Sequence, residues 1–573
     1  MLNASPIGVL AAAIALVAGF ASAQTTYTFN TASGAFGTPA NWTPARTVPA
    51  TNDILAFNAN ATATGLATES IGKIVLSNNA AVVLDGTTGL EAAITLAGGT
   101  NVLEVPAGTS LRLNGGGGAA GAIAIIVDAA SSATIGGDII FGATAASTPH
   151  RLEARAANQI IFASGSTAAM SPTTTGAANG FGGSAQGFDG GVVFQSGSSY
   201  SQGGLKDGTR QGGTGSNPFA RTTPASNVVF QPGSQYVGFG IALSVSGRTY
   251  ASYIHRDGYG AARTVTGGNP WTLTNDLRFL QPSGTLANAA PPAPGSFGFN
   301  VTSGLIIGGD FEVAAAGASF SDGGALLAAS NFSVAGDFTI ENPNRFSPNA
   351  TAFRTYLFNG TAQQTLDANG TRLTTVDVNN AAGIVLTSPL TVSTGITTTA
   401  GAITTSDFGG LILGGTATSP AGYTGPVGSY VAFDATLLTP VTAEGVTYTQ
   451  AAAGTGATGT FGTLPIAGPA TGLPGSGNVG GAKIWVINTT GVGGALTGTI
   501  SINYADLDIA GVQEATLLLA QFNGSAWVDV PATLNAGSNT ITTSAPLAPF
   551  GPLTVYGVSL VPPSDAKGWN LYK

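Results

Sequence analysis

The chain has 573 residues, enough for several domains, yet only 8% are charged, where an average globular domain has about 25%. With 85 glycines, 43% hydrophobic residues and a mean hydropathy of +0.28, it is too apolar for the disordered class and too poor in Glu, Lys and Arg for coiled coils or helical bundles. A net charge of −9 and a pI near 4.6 leave no basic footprint for nucleic acid, and the lack of cysteine removes disulfides, thiolate metal sites and cysteine nucleophiles together.

The chain opens on an apolar run from Ile7 to Phe20, followed by Ala21-Ser22-Ala23, an A-x-A site that predicts cleavage before Gln24. Residues 1–23 therefore read as an export signal, although only the α-amino group supplies positive charge ahead of the run. No later stretch approaches 18 uninterrupted apolar residues, so the mature chain is expected to be extracellular and without a transmembrane segment. Residues 24–60, with Trp42 and the Pro-rich Thr43-Pro44-Ala45-Arg46-Thr47-Val48-Pro49, read as an N-terminal cap.

From 61 to 450 short apolar runs alternate with turn residues. Ile74-Val75-Leu76, Val82-Val83-Leu84, Ile94-Thr95-Leu96, Val102-Leu103-Glu104-Val105 and Leu111-Arg112-Leu113 recur every eight to twelve residues, each bounded by Gly, Asn or Pro-Ala-Gly. Three kinds of repeat overlie them. Ile135-Gly136-Gly137-Asp138-Ile139, Ile307-Gly308-Gly309-Asp310-Phe311 and Val334-Ala335-Gly336-Asp337-Phe338 share a Gly-Asp turn, and the last two aspartates lie 27 residues apart. Val192-Val193-Phe194-Gln195-Ser196-Gly197-Ser198-Ser199-Tyr200 is echoed by Val228-Val229-Phe230-Gln231-Pro232-Gly233-Ser234-Gln235-Tyr236, and more faintly from Ile160 to Ser166. Asn78-Asn79-Ala80 is matched by Asn379-Asn380-Ala381.

So many short strands at coil-like periods predict an all-β chain, a right-handed parallel β-helix (solenoid), rather than one sandwich. About 400 residues at about 22 per coil give ~18 coils stacked at about 4.8 Å, a rod of roughly 90 Å. Polar insertions leave the stack at about 200–300, among them Lys206-Asp207-Gly208-Thr209-Arg210 and Pro291-Pro292-Ala293-Pro294. Residues 451–481 read as a Gly/Ala/Pro-rich linker. Longer alternating runs such as Ile484-Trp485-Val486-Ile487 and Thr499-Ile500-Ser501-Ile502 predict a separate antiparallel β-sandwich over 482–562, before a tail at 563–573.

Tyr356-Leu357-Phe358-Asn359-Gly360-Thr361, followed by Val376-Asp377-Val378-Asn379-Asn380-Ala381, resembles the β-helical repeats of large bacterial surface proteins, adhesin-like and autotransporter-passenger-like, notably from Bacteroidetes. Tyr27-Thr28-Phe29-Asn30, Asn41-Trp42 and Asn52-Asp53-Ile54 look like their N-terminal motif. Phe522-Asn523-Gly524-Ser525-Ala526-Trp527 is similar to modules that precede their sorting tails. The resemblance implies fold and exposure, and brings no catalytic residues. The sequence departs from that family pattern: neither a basic C-terminal sorting segment nor a membrane-spanning barrel is expected in it.

Candidate sites are few. Gly116 to Gly121 and Gly475 to Gly480 match G-x-G-x-x-G, as chance allows at this glycine content, and neither opens a βαβ unit. His150 and His255 are the two histidines. The densest polar-aromatic cluster is Tyr253, His255, Arg256, Asp257 and Tyr259, the residue types of a glycan-contacting loop, though a solvated loop on the solenoid flank has the same composition. Asp138, Asp310 and Asp337 each follow Gly, which fits turn hydrogen bonding better than catalysis. Asp506-Leu507-Asp508 has the chemistry for calcium but reads as a strand-end turn, so no metal or other cofactor is expected. The expected function is a structural or adhesive surface protein, binding glycans, matrix or copies of itself. A polysaccharide lyase or glycoside hydrolase, and an extracellular filament subunit, are the alternatives.

Overall fold

The computed structural model describes residues 24–86, 91–115, 121–142, 150–170, 180–182, 187–202, 226–238, 245–256, 262–280, 296–317, 319–322, 331–348, 354–406, 408–414, 416–433, 440–451, 459–475, 478–491, 498–509, 512–547 and 552–559. The expected export signal and the tail lie outside them. The described residues form an all-β structure, with five short 3-10 turns and no α-helix.

Long parallel sheets dominate, an arrangement compatible with a β-solenoid. One sheet has 15 strands, from Ser33–Ala35 to Ile403–Thr405, and every neighbouring pair compared along it is parallel. Its mean rise of about 4.8 Å per strand gives a length of roughly 67 Å. A second sheet of nine strands runs in parallel from Thr26–Phe29 to Val228–Phe230, with Trp42–Thr43 added antiparallel at its edge. A four-stranded sheet of Glu69–Ile71, Ala92–Leu96, Ile123–Val127 and Arg151–Ala154 supplies a third strand to the early coils. Ala262–Gly267, Ser296–Val301, Ser319–Asp322 and Phe346–Ser347 form its counterpart further along.

Period-two patterning explains the strands. In Ser110–Asn114, Leu111 and Leu113 are buried and Arg112 faces out, and the strands above and below keep that phase. The inward residues merge into a single core that runs from Phe29 to Leu411. At its N-terminal end Trp42 packs its ring against Phe29, Phe36 and Phe57 and donates its indole N–H to the Phe36 carbonyl at 2.8 Å.

The aromatic repeat is a register device. Phe162, Phe194 and Phe230 face one another on successive strands, with ring centroids 4.5 and 5.0 Å apart. The turn after each needs a left-handed residue, and Gly165, Gly197 and Gly233 supply it at φ 83, 79 and 84°. The next residue, Ser166, Ser198 or Ser234, is buried and donates its hydroxyl to the carbonyl three positions back at 2.6, 2.6 and 2.7 Å. The hydroxyl thus closes the turn from inside.

The Gly-Asp repeat ties one coil to the next. Asp276 Oδ1 accepts the Asp310 N–H at 3.0 Å, Asp310 Oδ1 accepts the Asp337 N–H at 2.9 Å, and Asp337 Oδ1 accepts the Thr365 N–H at 2.7 Å. A Cβ at Gly309 would come within 2.3 Å of Asp276 Oδ1, and one at Gly336 within 2.4 Å of Asp310 Oδ1. Glycine precedes Asp310 and Asp337 because the carboxylate of the coil below occupies that space, whereas a Cβ at Gly137, before Asp138, would meet the Thr109 and Pro106 carbonyls. The hydrogen bond is therefore between coils, where the sequence suggested a turn closing on itself.

Three expectations change. The two Asn-Asn-Ala copies are not equivalent: Asn78 and Asn79 form an exposed turn at φ 53 and 55°, whereas Asn380 is buried and donates to the Ala362 carbonyl at 2.6 Å. Within 200–300 the segments 203–225, 239–244, 257–261 and 281–295 lie outside the described residues, and those between them are strands that continue the sheets, such as Gln235–Gly238 and Leu277–Phe279. The stretch 451–481 holds the strand Gly459–Ala467, paired antiparallel over nine residues with 483–491. Its buried Phe461 and Leu464 anchor it despite the Gly/Thr/Pro-rich composition.

Among the described residues, the C-terminal region continues the parallel stack without a break. Val427–Phe433 pairs in parallel with Gly410–Leu413 on one side and antiparallel with Gly459–Ala467 on the other. The direction changes there, 55 residues before the expected boundary at 482. A five-stranded antiparallel sheet that includes Val446–Gln450 and Gly498–Asn503 shares a buried core with it, with Tyr448 and Phe461 rings 5.5 Å apart.

Candidate functional site

Of the five residues singled out from sequence, Tyr253 and His255 point into the core. Both lie on Ser252–His255 with about 1% exposure, and the Tyr253 hydroxyl is 3.0 Å from His255 Nδ1. Their rings are packed among Tyr236, Trp271, Phe279 and Phe297. They are coil-to-coil packing residues and cannot meet a sugar. Arg256 is half-buried and its N–H donates to the Gly238 carbonyl at 2.9 Å, while Asp257 and Tyr259 lie outside the described residues. The alternation that buries Tyr253 and His255 was readable from the strand period.

The outer face of the 15-stranded sheet is mostly Thr, Ser, Val, Ile and Ala, with charges at Asp85, Arg112, Asp138 and Asp367 and in a strip around Arg278. Arg278 lies 2.9 Å from Asp276, 3.2 Å from Asp310 and 3.5 Å from Glu312, and Glu312 is directly in register with it on the next strand. Partial burial raises the Glu312 pKa; Arg278 opposes that, and Glu341, Asp310 and Asp276 add to it. Glu341 accepts the Ala315 N–H at 2.8 Å. These carboxylates are spent on one arginine and on backbone amides. Among the described residues, no group of three or more His, Asp or Glu side chains is placed to hold a metal ion.

Asp506 and Asp508 sit in the short 3-10 turn Asp506–Ile509. Asp508 accepts the Ala505 N–H at 3.0 Å and lies 3.4 Å from Lys483 Nζ, and Asp506 accepts Asn539 Nδ2 at 3.4 Å. His150, buried, accepts the Ile123 N–H on Nδ1 at 3.0 Å. The second glycine match begins at Gly475, with φ +82°, and runs into a strand that starts at Asn478; 116–120 lie outside the described residues.

The sequence reading missed three buried ion networks. Arg46 bonds Asp53 at 2.8 Å and Glu69 at 3.0 Å near the first coil. Arg151 bonds Glu153 at 2.9 Å and also pairs with Glu91, while Arg155 reaches the other Glu153 oxygen at 2.9 Å. Burial works against charge on Arg151, but its bonds to Glu91 and Glu153 outweigh that and raise its pKa. Deepest is Arg354–Asp322, at 2.8 Å with neither side chain exposed. The Tyr356 hydroxyl donates to Asp322 at 3.4 Å, Arg354 Nη2 donates to the Val301 carbonyl at 3.3 Å, and the guanidinium lies 5.2 Å from the Phe299 ring centroid. Burial raises the Asp322 pKa above the usual carboxylate range despite Arg354. The signal was present: Arg354, Tyr356 and Phe358 share one strand phase, as do Phe320 and Asp322, so period-two reading places both charges inward.

Comparison with protein-family models, with curated proteins and with solved structures finds no match.

Proposed function

We propose that this chain is a secreted or cell-surface structural and adhesive protein: a right-handed parallel β-helix that carries a terminal antiparallel β-sandwich and presents a neutral hydroxyl-rich flank to glycans, matrix or copies of itself. The observation that carries the reading is the uninterrupted 15-strand parallel ladder. In such a ladder each coil's backbone bonds are satisfied by its neighbours, so stiffness accumulates with coil number. The Asp276–Asp310–Asp337 chain adds side-chain rungs to the same ladder. Low charge keeps the flank suited to hydrogen-bonding contacts rather than to long-range attraction.

Polysaccharide cleavage fits less well, because a glycosidase needs two opposed carboxylates and those of the charged strip, Asp276, Asp310, Glu312 and Glu341, are held by Arg278 or by amides. The test is electron microscopy of the purified protein combined with a glycan and matrix binding array. Straight particles whose parallel part measures roughly 67 Å, with binding independent of calcium, support the proposal. Compact particles, or reproducible cleavage of an arrayed polysaccharide, overturn it.

A further inference from the structure

His150 stands at the start of a strand pair in the early coils. The ladder between Ile123–Val127 and Arg151–Ala154 opens at the pair Ala124 and Arg151, and the Ile123 N–H, one residue ahead, donates to His150 Nδ1 at 3.0 Å. Ile123 is 0% exposed and His150 1%. A backbone N–H can only donate, so Nδ1 carries no proton and the ring is the neutral tautomer protonated on Nε2. The imidazole does for this amide what a strand carbonyl does for its neighbours.

A second proton reverses that. Imidazolium carries N–H on both nitrogens, so Nδ1–H would confront the Ile123 N–H, two buried donors with no acceptor between them. No surplus negative charge lies nearby to offset it. Arg151 and Glu153 on the same strand, Glu91 just ahead of Ala92–Leu96, and Arg155 are joined in one network of two arginines and two glutamates. Among the described residues, Ile123–Val127, Ala92–Leu96 and 180–182, whose Gly180 carbonyl accepts the Leu152 N–H, bring no titratable group.

We propose that His150 is an acid-sensitive latch: on acidification the imidazole takes up a proton, releases the Ile123 amide and frees Arg151–Ala154, the edge strand of the four-stranded sheet, from Ile123–Val127. An unfolded histidine binds a proton below about pH 6.5, whereas the latched ring excludes one. The stability contributed by the latch is therefore complete above that pH and is lost as pH falls below it.

The test is amide hydrogen exchange of the full-length protein, corrected for the intrinsic rate at each pH. One proton taken up on opening multiplies the open population by about ten per pH unit, so protection of 123–127 and 151–154 should fall roughly 30-fold between about pH 7.5 and 5.0. His150→Asn offers an amide oxygen as acceptor and has no group that titrates in this range, so it should keep the protection seen at neutral pH and lose the pH step. His150→Phe, with no acceptor, should be weakly protected at both pH values. Nitrogen-15 NMR should find the His150 ring protonated on Nε2 alone at neutral pH. His255 lies in another sheet, so its titration does not enter this reading. A wild-type change below about threefold, or a pH step that survives in His150→Asn, overturns the proposal. So does a ring protonated on Nδ1 at neutral pH.

Discussion

Arg354→Met is the most informative single perturbation. It removes the partner of Asp322 while filling much of the same volume, and leaves a carboxylate with no exposed surface beside Phe299. Breaking a buried ion pair from one side costs about 3–5 kcal/mol, because the desolvated charge that remains is uncompensated. Replacing both, as Arg354→Met/Asp322→Leu, should be neutral or stabilising by about 1–4 kcal/mol, since Arg354 Nη1 and Asp322 Oδ1 make no hydrogen bond among the described residues. Global melting is a poor readout for a stack whose coils contact mainly their neighbours. Amide hydrogen exchange of Ser296–Val301, Ser319–Asp322 and Thr355–Phe358 is local and direct. At about 1.4 kcal/mol per decade, the single variant should accelerate exchange there by roughly 150- to 4,000-fold and the double variant should restore or exceed wild-type protection. An Arg354→Met protein within about 1 kcal/mol of wild type, or a double variant no better than the single, refutes the argument.

Three further outcomes follow from particular contacts. Because the folded pKa of Asp322 lies above its unfolded one, the folded state binds more proton in the window between them, so protection of these strands should fall as pH rises through that window and recover on acidification; the slope should vanish in Arg354→Met/Asp322→Leu. Gly336→Ala drives a methyl group to within 2.4 Å of Asp310 Oδ1 and of the Gly309 backbone, and should cost about 1–3 kcal/mol in urea denaturation of the 296–358 region, whereas Gly395→Ala, in open space, should be near neutral. Pulling the chain from its ends in an optical trap should release coils one at a time. Register partners lie 20 residues apart at Leu366 and Leu386 and 36 apart at Val192 and Val228, so steps of roughly 70–130 Å are expected at about 3.5 Å per residue, and a single all-or-none extension counts against independent coils.

How much of this was legible in the sequence depends on what kind of interaction each residue makes. Local period announced the strands, and the Phe162, Phe194 and Phe230 repeat announced the register because identical turns must close at identical positions. The Gly-Asp repeat was visible too, but its partner was not: the bond from Asp310 to the Asp337 amide spans 27 residues, and spacing within one motif cannot distinguish it from a turn that closes on itself. The continuity of the C-terminal region was hidden for a related reason. Val427–Phe433 looks like any strand, and its two different neighbours, one parallel and one antiparallel, are set by tertiary pairing alone.

The failure at Tyr253 and His255 is of another kind. Tyr253 and His255 have the residue types of a sugar-contacting loop, but they sit two apart on Ser252–His255, and the strand phase carries both to the buried side. The same strand phase places Arg354 and Asp322 inward, where they form a fully buried ion pair. In a chain with 8% charged residues, a charge at an inward position of a strand carries more information than any cluster in a loop. Solvation makes the loop charge nearly free, whereas the inward charge persists only if a specific partner is built beside it.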